Sequence, residues 1–586
     1  MNRLRPSKLA ARRKRAEVLD DADKKVDKLL IRRLENLFAA RRFVLFWVLL
    51  LLLLIGAVGA QTLALKNNYQ SAQFVLGGTY AEGVLGDFTT ANPLFAEGSA
   101  DSAVASLVFA GLLKYNNHNK LVGDLASGYN VNSSGKVYTV NLKPHLTWQD
   151  GRALTADDVA FTYHAIQNPD SGSPLYASWQ NVTVSAVNKL TVKFSLSNPL
   201  ASFPYSLTNG IVPKHILGHL PAAKLRSANF NVAPIGAGPF QWQNLAASGD
   251  TPTTRQQQIT LAPFNHYNGG APKLSGFVVR SFHAQKALLS AFQSGALNGL
   301  AGLQTLPSQL KNDKSAQLYS LPLNVANMVF FNNSSGVLAD KNVRRALVQG
   351  ADVNQIINGL NHPVIPVREP LLQGQLGFNS KYRQLNYNPS AAAASLQKAG
   401  WRIGAGGLRY KKGQALKFRL STANNPTFRY VTAQLARQWR QIGVDAEISL
   451  DNSTDLKQTI VSHNYDALLY GIAIGVDPDV YVYWDSTQTD PRSPSQLNFS
   501  EYKSKAADKS LEAGRTRLEP QLRAVKYQPF LKAWQADAPA LGLYQPRFLY
   551  VTSQTIDGLK NHTINQATDR FDNVQNWQID TIKTAN

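Results

Sequence analysis

Apolar residues follow several rhythms along the chain. Residues 43–60, FVLFWVLLLLLLIGAVGA, form an uncharged run of 18, and the run reaches 23 through Leu65. Leucine fills 49–54, so every face of a helix there is apolar, and Arg41 and Arg42 abut it. A helix packed on one side needs only an apolar stripe. A bilayer core of about 30 Å is crossed by about 20 helical residues, so the run predicts a transmembrane helix over 43–65. Before it, Leu19, Ala22, Val26, Leu29 or Leu30, and Leu34 recur at three-to-four spacing. This predicts a solvated or lipid-skimming helix between about 16 and 42. Residues 66–73, KNNYQSAQ, read as a linker. From Phe74 onward strand-like and helix-like stretches alternate. Strands are expected at 136–142, 191–196, 277–282 and 327–331. Helices are expected at 156–166 (opened by Thr155, with Asp157 and Asp158 in the first turn), 342–348 (opened by Asp340), 391–399 and 428–441. No fixed-period repeat is visible. The mixture predicts an α/β protein with more than one lobe.

Charge orients the N-terminal run. Arg32, Arg33, Arg41 and Arg42 precede it, and only Lys66 follows closely. Positive residues stay inside, so residues 66–586 are expected outside, single-pass, with a cytoplasmic N-terminus. Cleavage after Val58-Gly59-Ala60 is the competing reading; the 42-residue leader and the length of the apolar block favour a retained anchor. The 586 residues contain no cysteine, which excludes disulfides, thiolate metal sites, a cysteine nucleophile and a lipid-modified N-terminal cysteine. The formal charge is +23. Residues 1–42 hold 14 Lys/Arg and 6 Asp/Glu, leaving +15 that reads as a diffuse excess over the rest of the chain. Such an excess suits a surface near anionic lipid or cell wall and argues against nucleic acid as a partner.

The chemistry-bearing motifs are sparse. No nucleophile elbow, His-Glu-x-x-His or phosphate loop occurs. Gly236-Ala237-Gly238-Pro239 reads as a turn. His215 and His219 have metal-ligating i,i+4 spacing, but Pro213 and Gly218 flank them and no Glu lies between; helix-end or surface histidines fit better. Asp477 and Asp479, in Val-Asp-Pro-Asp-Val, are candidates for a glycosidase pair. A proline turn with each Asp bonded to nearby backbone is the simpler reading.

A series of segments in order resembles the family 5 extracellular solute-binding proteins of dipeptide, oligopeptide and nickel importers. The most diagnostic is 142–163, LKPHLTWQDGRALTADDVAFTY. Others are Asn92-Pro93-Leu94, VPKHI at 212–216, PIGAGPF at 234–240, YNGGAPKL at 267–274, LADKNVRRAL at 338–347, 387–401 ending Ala-Gly-Trp, 439–444, and 465–484 with its Asp-Pro-Asp. The resemblance implies a bilobed, periplasmic-binding-protein-like α/β fold (type II). Lobe one would be 74–323 plus 540–586, with an extra subdomain near 110–200, and lobe two 324–539.

The resemblance also implies a non-enzymatic monomer without cofactor or metal. It would capture a peptide or other small solute by closing a cleft and deliver it to an ABC permease and ATPase. A ligand sensor or scaffold of the same fold, and a surface hydrolase, are the alternatives. Gapless comparison puts Ile474 where dipeptide binders hold the ligand amine with Asp, and Thr422 where they hold its carboxylate with Arg. Strict dipeptide binding is therefore not expected. Asp477 or Arg429 are expected substitutes, and Asp477, Asp479, Tyr483, Trp484 and Trp401 are candidate cleft residues, with Trp179 a further aromatic. For each of these aromatics a core role competes.

Overall fold

This computed structural model describes residues 17, 20–26, 28, 40–68, 70–74, 76–251, 254–303, 305–313, 316–490, 496–579 and 581–585. The chain divides into two units, 1–74 with 581–586, and 75–580. In the first, a helix runs Arg41–Asn68. Its Phe43–Leu63 stretch has a mean hydropathy of 2.8 and is nowhere buried. The expected linker at 66–73 is instead the last turn of this helix followed by the strand Gln70–Phe74. That strand pairs antiparallel with Thr581–Ala585, so the final strand belongs here and not to lobe one. The leader helix expected at 16–42 falls largely outside the described residues; 20–26 within it is helical.

In the second unit, two large sheets each carry an apolar core on both faces. The first has seven strands in the order Gln317–Pro322, Arg547–Thr552, Gly299–Leu303, Thr79–Leu85, Gly276–Phe282, Gln256–Pro263, Phe240–Ser248. Its three-strand centre, 299–303 with 79–85 and 276–282, is parallel. The second has six, ordered Ile365–Pro366, Ala540–Gln545, Val325–Phe331, Ala467–Ala473, Lys417–Ala423, Asp445–Asp451. Lys417–Ala423 runs parallel to both neighbours. The strands reading as near-continuous apolar runs are the interior ones: Val325–Phe331 is buried from Ala326 onward, as expected of strands covered on both faces. A four-stranded sheet, Ala126–Val131, Val137–Leu142, Thr191–Leu196, Val182–Asn188, lies within the 110–200 segment.

The expected helices form because their first turns are satisfied. Thr155 N–H donates to Asp158 Oδ2 at 2.9 Å and opens Ala156–Gln167. Asp340 accepts from Asn342 N–H and opens Lys341–Gln349. Asn388 and Asn425 cap Pro389–Lys398 and Pro426–Gln441, each with proline in the first turn, where its missing N–H costs nothing.

The chain passes between the two sheets at 323–324 and again at Pro546. The second crossing was expected at 540, but Ala540–Gln545 is still a strand of the second sheet, paired with Val325–Phe331. Pro546 ends it, because proline has no N–H for the ladder, and Arg547 begins the strand of the first sheet.

Candidate functional site

The strand Ala467–Ala473 ends at the crossing, and a polar network holds it there. Ile474 N–H and Gly475 N–H both donate to Asn324 O, at 2.9 and 3.2 Å. Asn324 N–H donates to Ile564 O at 2.8 Å, and its Nδ2 to Asn565 Oδ1 at 2.7 Å. Asn565 Nδ2 reaches Asn119 Oδ1 at 2.8 Å. Gln545 Nε2 donates to Leu323 O, and Gln375 Nε2 to Gly475 O. Four segments, around 119, 324, 474 and 565, therefore meet through amides.

Beside this network lies a cavity of about 420 Å³. One wall holds Asn119, Tyr129, Tyr138 and Tyr205; the other holds Val476, Asp477, Pro520 and Arg523. A second cavity, about 290 Å³, is lined by Lys114, Tyr115, Asp124, Tyr267, Asp569 and Asp572 among others. The Tyr115 and Tyr205 rings stack, centroids 6.4 Å apart at 24°, so one aromatic pair contributes to both walls. Burial pushes these phenols up, Tyr138 to about 12. At neutral pH they are protonated, each able to donate and accept one hydrogen bond.

Buried charge fixes the cavity walls. Asp477 is held by Arg523 through two bonds of 2.6 Å, Nη1 to Oδ2 and Nη2 to Oδ1. The side chains are 8% and 6% exposed. Asp479 accepts from Ser202 Oγ at 2.8 Å and pairs with Arg515 at 3.3 Å. The Arg515 guanidinium lies 4.0 Å over the Tyr481 ring, and Arg515 O accepts Ala201 N–H. Next to the wall of the 290 Å³ cavity, Arg570 is buried, pairs with Glu82 of the first sheet and lies over Phe571. That contact pins the turn Ala567–Phe571 to the sheet and so sets Asp569 and Asp572 on the cavity wall. Burial pushes the Asp572 carboxyl up from the usual 3.8 to about 6, with His562, 4.0 Å away, opposing.

The structure corrects several candidates. Asp477 lines the cavity, but both its oxygens are taken by Arg523, so it is not a free amine holder. Asp477 and Asp479 do not bond their own turn as expected: each reaches a distant basic or hydroxyl partner, while Val480 N–H closes the turn on Pro478 O. Trp484 is fully buried against Phe330, Phe530 and Trp534. Trp401 is 3% exposed in the second sheet's core. Trp179 packs on Tyr163, Phe194 and Phe203. These tryptophans build cores. Thr422 is also buried, its hydroxyl donating to Leu469 O. Ile474 contributes its backbone to the crossing and its side chain to a core. Tyr483 donates to Ala473 O at 2.8 Å and supports the strand end. Arg429 is exposed and bonds Asn424. His215 Nε2 lies 2.8 Å from Asp150 Oδ2. Among the described residues no three His, Asp or Glu side chains are grouped for a metal.

Sequence reasoning missed Arg523, Arg515, Ser202, Tyr205 and the amides at 119, 324 and 565. None sits in a local motif. The pair Asp569 and Asp572, three apart near the C-terminus, was a visible signal.

Comparison with known proteins agrees with this architecture. The chain is 25% identical over 504 residues to the oligopeptide-binding protein AppA of Bacillus subtilis, covering 83% of this chain and 89% of that one. It is 24% identical over 455 residues to a probable D,D-dipeptide-binding periplasmic protein, DdpA, of Escherichia coli, covering 74% and 81%. Among solved structures, NikZ of Campylobacter jejuni with Ni(L-His) superposes with a TM-score of 0.71 at 24% identity, covering 86% of this chain and 99% of that one. AppA of Bacillus subtilis with a nonapeptide gives 0.70 at 23%, with the same coverage. The family description "Bacterial extracellular solute-binding proteins, family 5 Middle" matches residues 120–493. With well over half its length matched, and with two sheet-based lobes joined at paired crossings, this chain belongs to the family 5 extracellular solute-binding proteins, the substrate-binding components of peptide-type ABC transporters.

Proposed function

We propose that the chain is a membrane-anchored receptor that captures oligopeptide-like solutes in the cleft beside Ile474–Asp477 and delivers them to an ABC permease and ATPase. The carrying observation is the position of the 420 Å³ cavity, lined by groups from both sides of the crossing and next to the amide network. A change of angle at 323–324 and 546 would open or close it. Closure is favoured only by ligand contacts that the open form lacks. The main chain beyond Gly475, past the groups committed to Asn324 and Gln375, would pair with a peptide backbone, a mode indifferent to side-chain identity. Neutral tyrosines would take side chains by stacking and single hydrogen bonds. Since Asp477 is committed to Arg523, recognition of a ligand's amino terminus would not fall to it. AppA of Bacillus subtilis, a chain of this fold, is in complex with a nonapeptide, which supports a peptide ligand here.

The anchor would be the Phe43–Leu63 helix, with 66–586 outside. Protease added to intact cells should then leave a short membrane stub, whereas a mature N-terminus at Gln61 would overturn the retained anchor. Native mass spectrometry of the full chain purified in mild detergent tests the ligand class. Release of intact peptides supports the reading; a co-purifying sugar or metal chelate instead of peptide refutes it, and so does peptide returned hydrolysed after incubation.

A further inference from the structure

The basic excess outside residues 1–42 is not diffuse, contrary to the expectation from bulk composition. Residues 370–444 hold 12 Lys/Arg and no Asp/Glu. The rest of 66–586, with 35 basic and 32 acidic residues, is close to neutral. Surfaces kept merely soluble intersperse the two signs.

The fold gathers these charges. On Pro426–Gln441 the exposed positions 429, 433, 437 and 440 repeat at helical spacing, and three of the four are arginine. Arg437 and Arg440, one turn apart, repel. The C-terminal turn is locked to a small three-stranded sheet, Arg402–Ile403, Arg409–Lys411 and Gln414–Ala415. Arg440 Nη2 donates to Gly406 O at 2.8 Å, and Arg409 N–H donates to Gly443 O at 2.9 Å. Arg402 and Lys412 are exposed on that sheet, and Lys398 is exposed at the end of the preceding helix. Buried Arg409 ties the pieces together through Ile442 O and Trp401 O. Arg402, Lys412 and Arg437 make no ion pair among the described residues. Ile403, in the same sheet, is 56% exposed.

We propose that this face, Lys398, Arg402, Lys412, Arg437 and Arg440 around Ile403, docks on anionic lipid headgroups. The choice of lipid rests on the anchored reading above: a chain tethered by the Phe43–Leu63 helix always has a headgroup surface within reach. Cationic side chains at an anionic surface each add about fivefold to occupancy, and an exposed isoleucine among them suits the headgroup boundary. Docking would lay lobe two on the membrane.

Because the chain has no cysteine, a single Ala433→Cys gives a unique label on this face, and Val187→Cys gives a control label far away in sequence, in the four-stranded sheet. Full-length protein is placed in nanodiscs of phosphatidylcholine alone, or with phosphatidylglycerol, carrying headgroup-linked acceptors. Energy transfer from position 433 should rise with the anionic lipid, and high salt should suppress it. The combined R402E, K412E and R437E variant should lose the rise, at roughly a hundredfold or more in docking equilibrium by the same per-residue factor. The corresponding Gln variant should lose part of it. Transfer independent of lipid charge overturns the proposal, and so does a rise that survives charge reversal. Transfer unmoved by anionic lipid but blocked by soluble poly-glutamate would assign the face to an acidic protein instead. Failure of the chain to co-purify with the discs would strike the anchored reading and take the lipid assignment with it.

Discussion

Replacing Asp477 by asparagine separates a structural carboxylate from a ligand-holding one. The wild-type pair is nearly water-free, at 6% and 8% exposure, with two 2.6 Å bonds. In D477N the Arg523 guanidinium keeps Gly514 O at 2.8 Å and the Tyr527 hydroxyl at 3.4 Å, but loses its counter-charge. Breaking one side of a buried pair costs about 3–5 kcal/mol. Unfolding entropy scales at about 2.1 cal/mol/K per residue, so for a body of this size about 1 kcal/mol corresponds to about 1 °C. A fall in Tm of about 3–5 °C is expected by scanning calorimetry. Removing the stranded charge as well, in D477N/R523M, should recover much of it, since apolar replacement of a whole buried pair is often near neutral. Peptides with free and acetylated amino termini should weaken together, through the distorted wall. The reasoning is refuted if D477N leaves Tm unchanged while free-amine peptides alone lose tenfold or more; Asp477 would then be held for the ligand and not by Arg523.

Asp479→Ala removes the Ser202 contact across the cleft and, within lobe two, the Arg515 pair; losing about 1.5 kcal/mol from the cross-cleft bond to a charged group should shift the closed population about tenfold, read by single-molecule energy transfer between the lobes. Because burial raises Asp572 from 3.8 to about 6, the folded state binds that proton more tightly. Its stabilisation is complete below about pH 4 and is lost as pH rises through about 6, so Asp572→Asn should flatten the stability profile in that window. Trp484→Ala should lower stability by about 3–5 kcal/mol, and Trp484→Phe should keep peptide affinity, checked by calorimetric titration; a selective affinity loss in the Phe variant would return Trp484 to the site.

The fold was legible because its signals are local. Thr155 with Asp158, and the Asn388-Pro389 and Asn425-Pro426 steps, announce helices within four residues. The apolar run at 43–60 needs no context at all. The site was less legible because its decisive contacts are long-range: Asp477 with Arg523 is 46 residues apart and Ser202 with Asp479 is 277. An aromatic beside an acidic turn looks the same in sequence whether it faces a cleft or a core. Trp484 faces the core because its short helix, Tyr481–Trp484, turns it onto Phe530 and Trp534, both far along the chain. The charge pattern was legible and was averaged away: counting over the whole outer chain concealed an acid-free stretch that a sliding count exposes.

The composition of the crossing bears on how such a receptor can move and still keep its register. An apolar seal between lobes would reward closure with or without ligand, since burial is non-directional and proportional to area. Here the joint is made of side-chain amides, Asn119, Asn324, Gln375, Gln545 and Asn565, bonded largely to one another and to main chain. Each such bond contributes a net 0.5–1.5 kcal/mol or so, because water offers nearly equivalent partners. Exchange with water therefore costs little, as the proposed swing of the joint would require. Register is kept by what does not exchange: Leu323 N–H on Pro546 O at 3.0 Å and Asn324 N–H on Ile564 O at 2.8 Å tie the crossing strands together at the axis. The contact of Asp479, held by Arg515 of its own lobe, with Ser202 of the other lies across the cleft, where a small rotation would break it. Under the proposed closure, a polar axis, a breakable outer latch and a tyrosine-lined space between them would leave the balance of open and closed forms within reach of what a single bound solute can supply.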